Sequence, residues 1–449
     1  MSLLAAHLND AEIVVANDKA ILYREPGFVL LDDDHLVAGS DAYSNARLAP
    51  RRIQNRYWTD LSTTPLPDRR FQHMSSADLV SRQLEAIWRA VSTPGDRLAL
   101  AIPPYMKTES LGLLLGIANE LGVPVVGMCD AAVCATRRHY EHAVPVHIDL
   151  SLHSASLTRL QQEGQVQIDR AEVIDDNGLL VLHEAWLKVI AEVFVQQSRF
   201  DPLHTAQTEQ MLQDRLPGWL AAAVGDDKVP LSVEYQGITH NAELEALELV
   251  AAAGPYYQSI VSSLRALIKA EEMPAIQLTS RAAAMPGLAD TLKSRVGGEV
   301  FLLESGATAL GLVNRASPEP ASGGMSLLRH LPWDQAPQSV ELRDDDVGGS
   351  RPTHLLYGNT AYSISEQPLV LGSRSDDNER RLDFHEEMPG VSRRHCVVAA
   401  ANGQCIVTDH SRYGTFLNGH RIEGSAVLQS GDLIRIGTPG FELRLITAE

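Results

Sequence analysis

The sequence predicts an α/β body followed by an all-β sandwich, and three observations carry that expectation. Up to about Arg315, β-rich runs (EIVVAN, KAILYR, RLALAIPP, VPVHIDLSL, AIQLTS, EVFLLES) alternate with amphipathic helical stretches such as SADLVSRQLEAIWRAV and LHEAWLKVIAEVFVQQ. From Ala316 to Pro352 the text turns rich in Pro, Gly, Ser and Asp (ASPEPASGG, RDDDVGGSRP), interrupted only by MSLLRHLPW. From Thr353 onward short strands and turns remain, among them AYSIS, PLVLGS, HCVVAA, QCIVTD, DLIRIG and FELRLI. The implied division is a body over 1–314, a linker over 315–352 and a β-sandwich over 353–449.

The 449 residues are enough for two or three domains with cores of their own. Lys plus Arg number 38 against 57 Asp plus Glu, a net charge of −19, so the average field repels nucleic-acid backbones and anionic membranes. No nucleic-acid partner is expected, and any anion site must be a local exception. Membrane insertion is not expected either, because no apolar run approaches the roughly 20 residues of a spanning helix. MSLLAAHLND lacks the basic start and long apolar core of a secretory leader, which points to the cytoplasm. Cys129, Cys134, Cys396 and Cys405 have neither CxxC spacing nor the density of a disulfide scaffold and read as buried thiols.

In a β-sandwich the loops gather at the ends, where side chains converge on a ligand without disturbing the core. Three polar loops qualify: Gly372-Ser373-Arg374, Ser392-Arg393-Arg394-His395 and Ser411-Arg412-Tyr413-Gly414-Thr415. Arginine offers a fork of donors and serine a hydroxyl, and both suit a phosphate dianion. The same tail carries an ordered series: Gly372 with a nearby Arg, Ser392-x-x-His395, Gly414-Thr415-Phe416-Leu417-Asn418-Gly419, and Gly431-Asp432-x-Ile434-x-Ile436-Gly437. In that series the tail resembles the forkhead-associated (FHA) domain. The resemblance implies a phosphothreonine reader in which Arg374 and Ser392 hold the phosphate, with Arg393, Arg412 and Tyr413 beside it. Gly372, His395, Gly414, Thr415, Asn418 and Gly419 would shape the loops. Two positions depart from the family: Ser373 separates Gly372 from Arg374, and Tyr413 stands where an Asn is usual. A bland alternative makes Arg393 and Arg394 solvated partners of Glu386 and Glu387.

Three stretches of the body, LAAHLNDAEIVVAN, VPVHIDLSLHSASLTRL and AIQLTSRAAAMPGLADTL, resemble the actin, sugar-kinase and heat-shock-chaperone ATPase superfamily. The resemblance covers 1–314 and implies a two-lobed fold closing on a nucleotide. Such sites need glycines that let backbone N–H groups reach the phosphates, and an aspartate that positions the metal. Here His7, Asn9 and Asp10 replace the Asp, Gly and Thr or Ser of the first loop. Asp149 survives in the second, with Ser151 in the glycine position, and Ser280-Arg281 replaces the Gly-Gly of the third. These losses imply a chaperone-like pseudo-ATPase with no cofactor, ATP with magnesium being the one such a scaffold would take.

His139, His142, His147 and His153 invite a metal reading, but His147 and His153 along an extended strand lie roughly 20 Å apart, too far for one ion. Asp32-Asp33-Asp34-His35 reads as a turn after a strand, and Trp88 and Trp186 as core residues. RFDPLHTAQTEQMLQDRLPGWL is similar to lid segments of bacterial chaperone-like proteins. No GxSxG, HExxH, GxxxxGK[ST] or supported GxGxxG is present. The expectation is therefore a bacterial scaffold protein, not an enzyme, whose partner is a phosphothreonine-containing protein such as a serine/threonine kinase or its substrate. An ATPase gated by phosphopeptide binding and a subunit that assembles through the body are the rivals, and the oligomeric state stays open.

Overall fold

Strands buried on both faces read as continuous apolar runs, and LLAAHLN is one of them, with Leu4 to Asn9 all buried in the computed structural model. The structure describes residues 2–32, 36–269, 272–316, 326–340, 352–357, 360–373, 379–384, 390–401, 404–418, 420–422, 424–436 and 441–446. The chain forms two compact units, Met1–Val340 and Glu341–Glu449.

The first unit holds two six-stranded sheets. In the first, β1 (Leu3–Asn9) pairs antiparallel with β2 (Glu12–Ala16), which pairs antiparallel with β3 (Ile21–Glu25). On its other side β1 runs parallel to β4 (Arg97–Ile102), which is parallel to β5 (Val125–Asp130). The second sheet repeats this plan. Its β6 (Val144–Leu150) opens an antiparallel meander with β7 (Ser154–Gln161) and β8 (Val166–Asp175). On the far side β6 is parallel to β9 (Pro274–Leu278), and β9 to β10 (Glu299–Leu302).

Each sheet buries one large apolar cluster against its helices. The helix Ser76–Val91 starts at a capping box formed by Ser75 and Asp78, and its Leu79, Val80, Leu84 and Ile87 enter the first core. Helices Leu179–Ser198 and Ala246–Leu267 serve the second core, where Trp186 is fully buried and its indole N–H donates to the Leu249 carbonyl. Trp88 packs half-buried against the first core. The sequence 32–35 joins the antiparallel strands Val29–Leu31 and Leu36–Ala38, the place for a turn, although 33–35 themselves lie outside the described residues.

The expected linker is corrected over part of its length. Ser326–Leu328, here β11, extends the first sheet by pairing parallel with β5, and His330–Leu331, β12, pairs antiparallel with β8 of the second. Only Arg329 separates the two. The cause is the apolar content of MSLLRHLPW: Leu331 is buried among Ala5, Leu160, Val166 and Leu312, a cluster drawn from both sheets. Arg315, itself buried, anchors the same stretch by donating to the carbonyls of Thr136 and Pro332 at 2.8 and 3.2 Å. The remainder, 317–325 and 341–351, lies outside the described residues.

The second unit is the expected β-sandwich. One sheet contains His354–Tyr357, Thr415–Leu417, Leu433–Ile436 and Phe441–Ile446, and the other Leu369–Ser373, Cys396–Ala401 and Gln404–Asp409. Leu371, Val398, Val407, Ile434 and Leu443 form its core. All four cysteines are buried free thiols, as their spacing implied.

If 326–340 belongs to the body, truncating Leu331 should destabilise it. All five tryptophans fall within 1–340, so indole fluorescence follows that unit selectively. Leu331→Ala should lower its unfolding free energy by about 2–5 kcal/mol in urea, and an unchanged midpoint would return the segment to the status of a linker.

Candidate functional site

A phosphate site needs donors brought to one point of the surface. In the second unit three loops are tied together by hydrogen bonds. The Ser373 amide donates to the Ser392 carbonyl at 3.1 Å, and the Arg412 amide to Ser392 Oγ at 3.3 Å. The Ser392 amide donates to His395 Nδ1 at 3.2 Å, which leaves the proton on Nε2, and Nε2 donates to the Gly414 carbonyl at 3.2 Å. Burial lowers the pKa of His395, which favours this neutral tautomer.

Two glycines make the approach feasible. A Cβ on Gly372 would stand 2.1 Å from the Arg393 carbonyl oxygen. Gly414 adopts φ +97°, and a Cβ there would meet Arg421 Nε at 2.6 Å. Asp409 accepts from the Ser411 amide at 2.9 Å and the Thr415 hydroxyl at 2.8 Å, and Ser411 Oγ accepts the Gly414 amide at 2.7 Å. Burial alone would raise the Asp409 carboxyl; the donors of Ser411 and Thr415 pull it below its usual value. Asn418, at φ 50°, donates to Asp432 at 2.8 Å and accepts the Leu433 amide at 3.0 Å, holding the last hairpin.

Ser392, His395, Gly414, Thr415 and Gly372 therefore meet as the sequence implied. Arg393, Arg412 and Tyr413 are exposed beside them, the Arg412 guanidinium lying 5.9 Å from the Tyr413 ring centroid. Arg394 pairs with Glu379 at 2.6 Å; the bland alternative of pairing with Glu386 and Glu387 falls outside the described residues. Arg374 and Gly419, with Glu386 and Glu387, lie outside the described residues. Sequence reasoning missed Arg381, the first residue of the strand Arg381–Phe384, whose side chain is buried. It pairs with Asp383 at 3.0 Å and donates to the Ser373 carbonyl at 3.2 Å and the Arg393 carbonyl, bracing two loops from behind. A strand arginine gives no local signal of such a role.

The body residues singled out from the sequence also meet, but they bond to one another. Asp149 on β6 accepts from both contacts of Arg281 Nη2 at 3.0 Å, from Asn9 Nδ2 at 2.8 Å and from the Thr279 hydroxyl at 2.7 Å. Arg281 also donates to the Leu150 carbonyl at 3.2 Å and reaches Glu12 at 3.3 Å. Asp10 does not face an empty phosphate loop. It accepts from the Leu152 amide and the Thr59 hydroxyl, each at 2.8 Å. Asn9, Asp10 and Glu12 come from the first sheet and Asp149, Leu150, Leu152 and Arg281 from the second half, so the cluster fastens one half to the other. Ser151 Oγ instead accepts the Ser154 amide at 2.9 Å within the turn between β6 and β7. Ser280 lines a cavity of about 20 Å³ together with His7, Glu12, Thr279, Arg281 and Glu304. Ligand pockets run to roughly 300–1,000 Å³. Thr279 and Glu12 were not anticipated, although a Thr before Ser280-Arg281-Ala282-Ala283 is the pattern of a helix N-cap, which it forms.

Burial alone would raise the Asp149 carboxyl, but Arg281 with His7 and His147 brings it down to about 2. His7 and His147 are buried, and burial lowers them to about 3 and about 4, so both are neutral at pH 7. His7 Nε2 lies 3.8 Å from Asp149 Oδ2 and makes no hydrogen bond among the described residues. No group of three or more His, Cys, Asp or Glu side chains among the described residues is placed to hold a metal ion.

Residues 369–437 match the model of the FHA domain family. Members of that family bind phosphothreonine-containing proteins, and the match implies phosphothreonine-dependent protein interaction for this segment. No curated protein matches the chain.

Two outcomes follow from the body cluster. Arg281→Met should destabilise the body by about 3–5 kcal/mol, because Asp149 is left charged and unpaired, and adding Asp149→Leu should recover part of that loss; urea unfolding of both checks it. His7 and His147 bind protons near pH 6.5 when unfolded but only near 3 and 4 when folded, so the stability they contribute is complete above about pH 6.5 and lost as pH falls toward those values. Body stability should fall by up to about 1.4 kcal/mol per pH unit per histidine between pH 6.5 and 4, with a shallower slope in His147→Gln.

Proposed function

We propose that this protein is a phosphothreonine-dependent scaffold whose reader is tethered to a chaperone-like, actin-type body that has lost ATP hydrolysis. The reader half rests on one observation: the loops bearing Ser392, Arg393 and Arg412 are held together by backbone donors and by His395, before any ligand arrives. Loops so tied have little backbone entropy left to lose on binding. Ser392 Oγ and the guanidinium groups of Arg393 and Arg412 supply donors that a phosphate dianion takes, and the family resemblance assigns Arg374 the same role. The partner is a phosphothreonine protein of a kinase-signalling pathway, a kinase or its substrate, in a bacterial cytoplasm.

What supports an actin-type body is the repetition of one plan in both sheets, an antiparallel meander continued by parallel strands, with the singled-out loops brought together between them. What supports its silence is Arg281, whose guanidinium takes the place between Asp149 and Glu12 that a metal and phosphates would need. The residues present do not fit ATP with magnesium: the one surviving aspartate is already neutralised, and the cavity beside it measures about 20 Å³. Phosphoryl transfer depends on an aspartate free to position a metal and on backbone N–H groups open to the phosphates.

Calorimetric titration of the full chain with a phosphothreonine peptide checks the reader. Ser392→Ala and Arg374→Ala should each weaken binding at least about tenfold, since a charge-assisted hydrogen bond contributes about 1.5–3 kcal/mol, and unaltered isotherms for both would defeat the assignment. For the body, millimolar ATP and magnesium should leave the tryptophan-monitored unfolding curve unchanged. A ligand at 100 times its Kd would add about 2.7 kcal/mol.

A further inference from the structure

We infer that the reader selects a phosphothreonine embedded in an acidic stretch, and that Arg421 and Arg435 on the outer face of the sandwich read the flanking carboxylates. This rests on the reading of the tail as a phosphothreonine site and names the chemistry of the segment around the phosphate.

The loop Ser411–Gly414 runs directly into the strand Thr415–Leu417, which pairs with His420–Arg421 on one side and with Leu433–Ile436 on the other. Thr415, Ile434 and Ile436 are buried, so by alternation the opposite face points outward. On that face Arg421, Phe416 and Arg435 stand in register across three adjacent strands, Phe416 opposite Arg421 and opposite Arg435. The Arg435 guanidinium lies 4.4 Å from the Phe416 ring centroid. At the other end of the row Arg421 packs against Gly414, whose carbonyl accepts from His395. The row thus begins where the phosphate loops end.

Charge pairing separates these arginines from their neighbours. Arg381 and Arg394 are committed to carboxylates, Asp383 and Glu379. Among the described residues Arg393, Arg412, Arg421 and Arg435 have no ion pair, although Glu442 stands opposite Arg435 on the next strand and closes the row. The whole of 341–449 contains 11 arginines and no lysine, in a segment with 16 Asp and Glu, net −5 by 11 minus 16. Guanidinium forks bind carboxylate and phosphate bidentately. Unpaired guanidinium groups around an aromatic ring, continuous with a phosphate site and set in an anionic chain, complement an extended acidic peptide.

The test uses the full chain and three fluorescent peptides: a phosphothreonine peptide flanked by glutamates, the same peptide with glutamines, and the glutamate peptide without phosphate. Anisotropy titrations at low and physiological salt should show the glutamate phosphopeptide binding roughly five- to tenfold tighter than its glutamine counterpart, with the gap narrowing as salt rises. In Arg421→Gln/Arg435→Gln, verified as folded by its circular dichroism and melting curve, the ratio should fall to near one. If that variant does not fold, the charge-conserving Arg421→Lys/Arg435→Lys should keep most of the preference in its place, and its loss there counts against charge reading. Equal affinities in the wild type, or a preference that survives the double change to glutamine, overturns the inference and leaves the phosphate site standing. Equal binding of the phosphorylated and unphosphorylated glutamate peptides overturns the reader itself.

Discussion

A carboxylate withdrawn from water must find a cation or give up its charge, and in the body Asp149 finds Arg281. That pair decides most of what surrounds it. The guanidinium makes Asp149 a strong acid despite its burial, adds a smaller push to the burial that keeps His7 and His147 neutral, and pairs with Glu12 from the opposite sheet. The remaining acceptors of Asp149 are filled by Asn9 and Thr279. Each partner of the pair comes with its own obligations, so the residues around Asn9, Asp149 and Arg281 form one bonded unit. The adjoining turn carries Asp10, which accepts from the Leu152 amide and the Thr59 hydroxyl.

The tail solves the opposite problem. It must keep positive charge at the surface unneutralised, which an acidic chain resists, because flexible acids nearby would pair with it. The structure keeps the two kinds of arginine apart by geometry. Arg381, inside the loops, is fixed by Asp383 and two carbonyls, and Arg394 by Glu379, while Arg393 and Arg412 extend from the same turns without such partners among the described residues. Preorganisation comes from neutral groups. His395 and the backbone amides join the loops without spending the charges that a ligand would use.

Much of this was legible because it is local. Apolar runs placed the strands EIVVAN, RLALAIPP and HCVVAA, and the glycine and histidine spacing of the tail brought Gly372, Ser392, His395 and Gly414 to one end of a sandwich. Long-range pairings were not. MSLLRHLPW sits among residues that signal a linker, and its two short strands exist only because β5 and β8 present open edges to it. Arg281 could not be recognised from the sequence as the counterion of Asp149, since the two are 132 positions apart. Arg381 and Arg421 were invisible for the same reason: a strand arginine looks like surface until the carbonyl or glycine that it meets is known.

The position of MSLLRHLPW changes how the two units can communicate. With 326–340 incorporated in the body, eleven residues, 341–351, separate Val340 from Pro352, and they span at most about 40 Å of contour. In the proposed scaffold a tether of this length would raise the effective concentration of a captured partner at the body more than a 37-residue one, because that concentration falls steeply as the tether lengthens beyond the distance it must span. Transmission of a nucleotide state would need two conformations of the body with different affinities for a ligand. The Arg281 cluster and the strap of β11 and β12 both hold the two halves in one arrangement, each by bonds that reopening would have to break without replacement. The proposed recruitment by proximity would require no second conformation, which is consistent with a body fastened in this way.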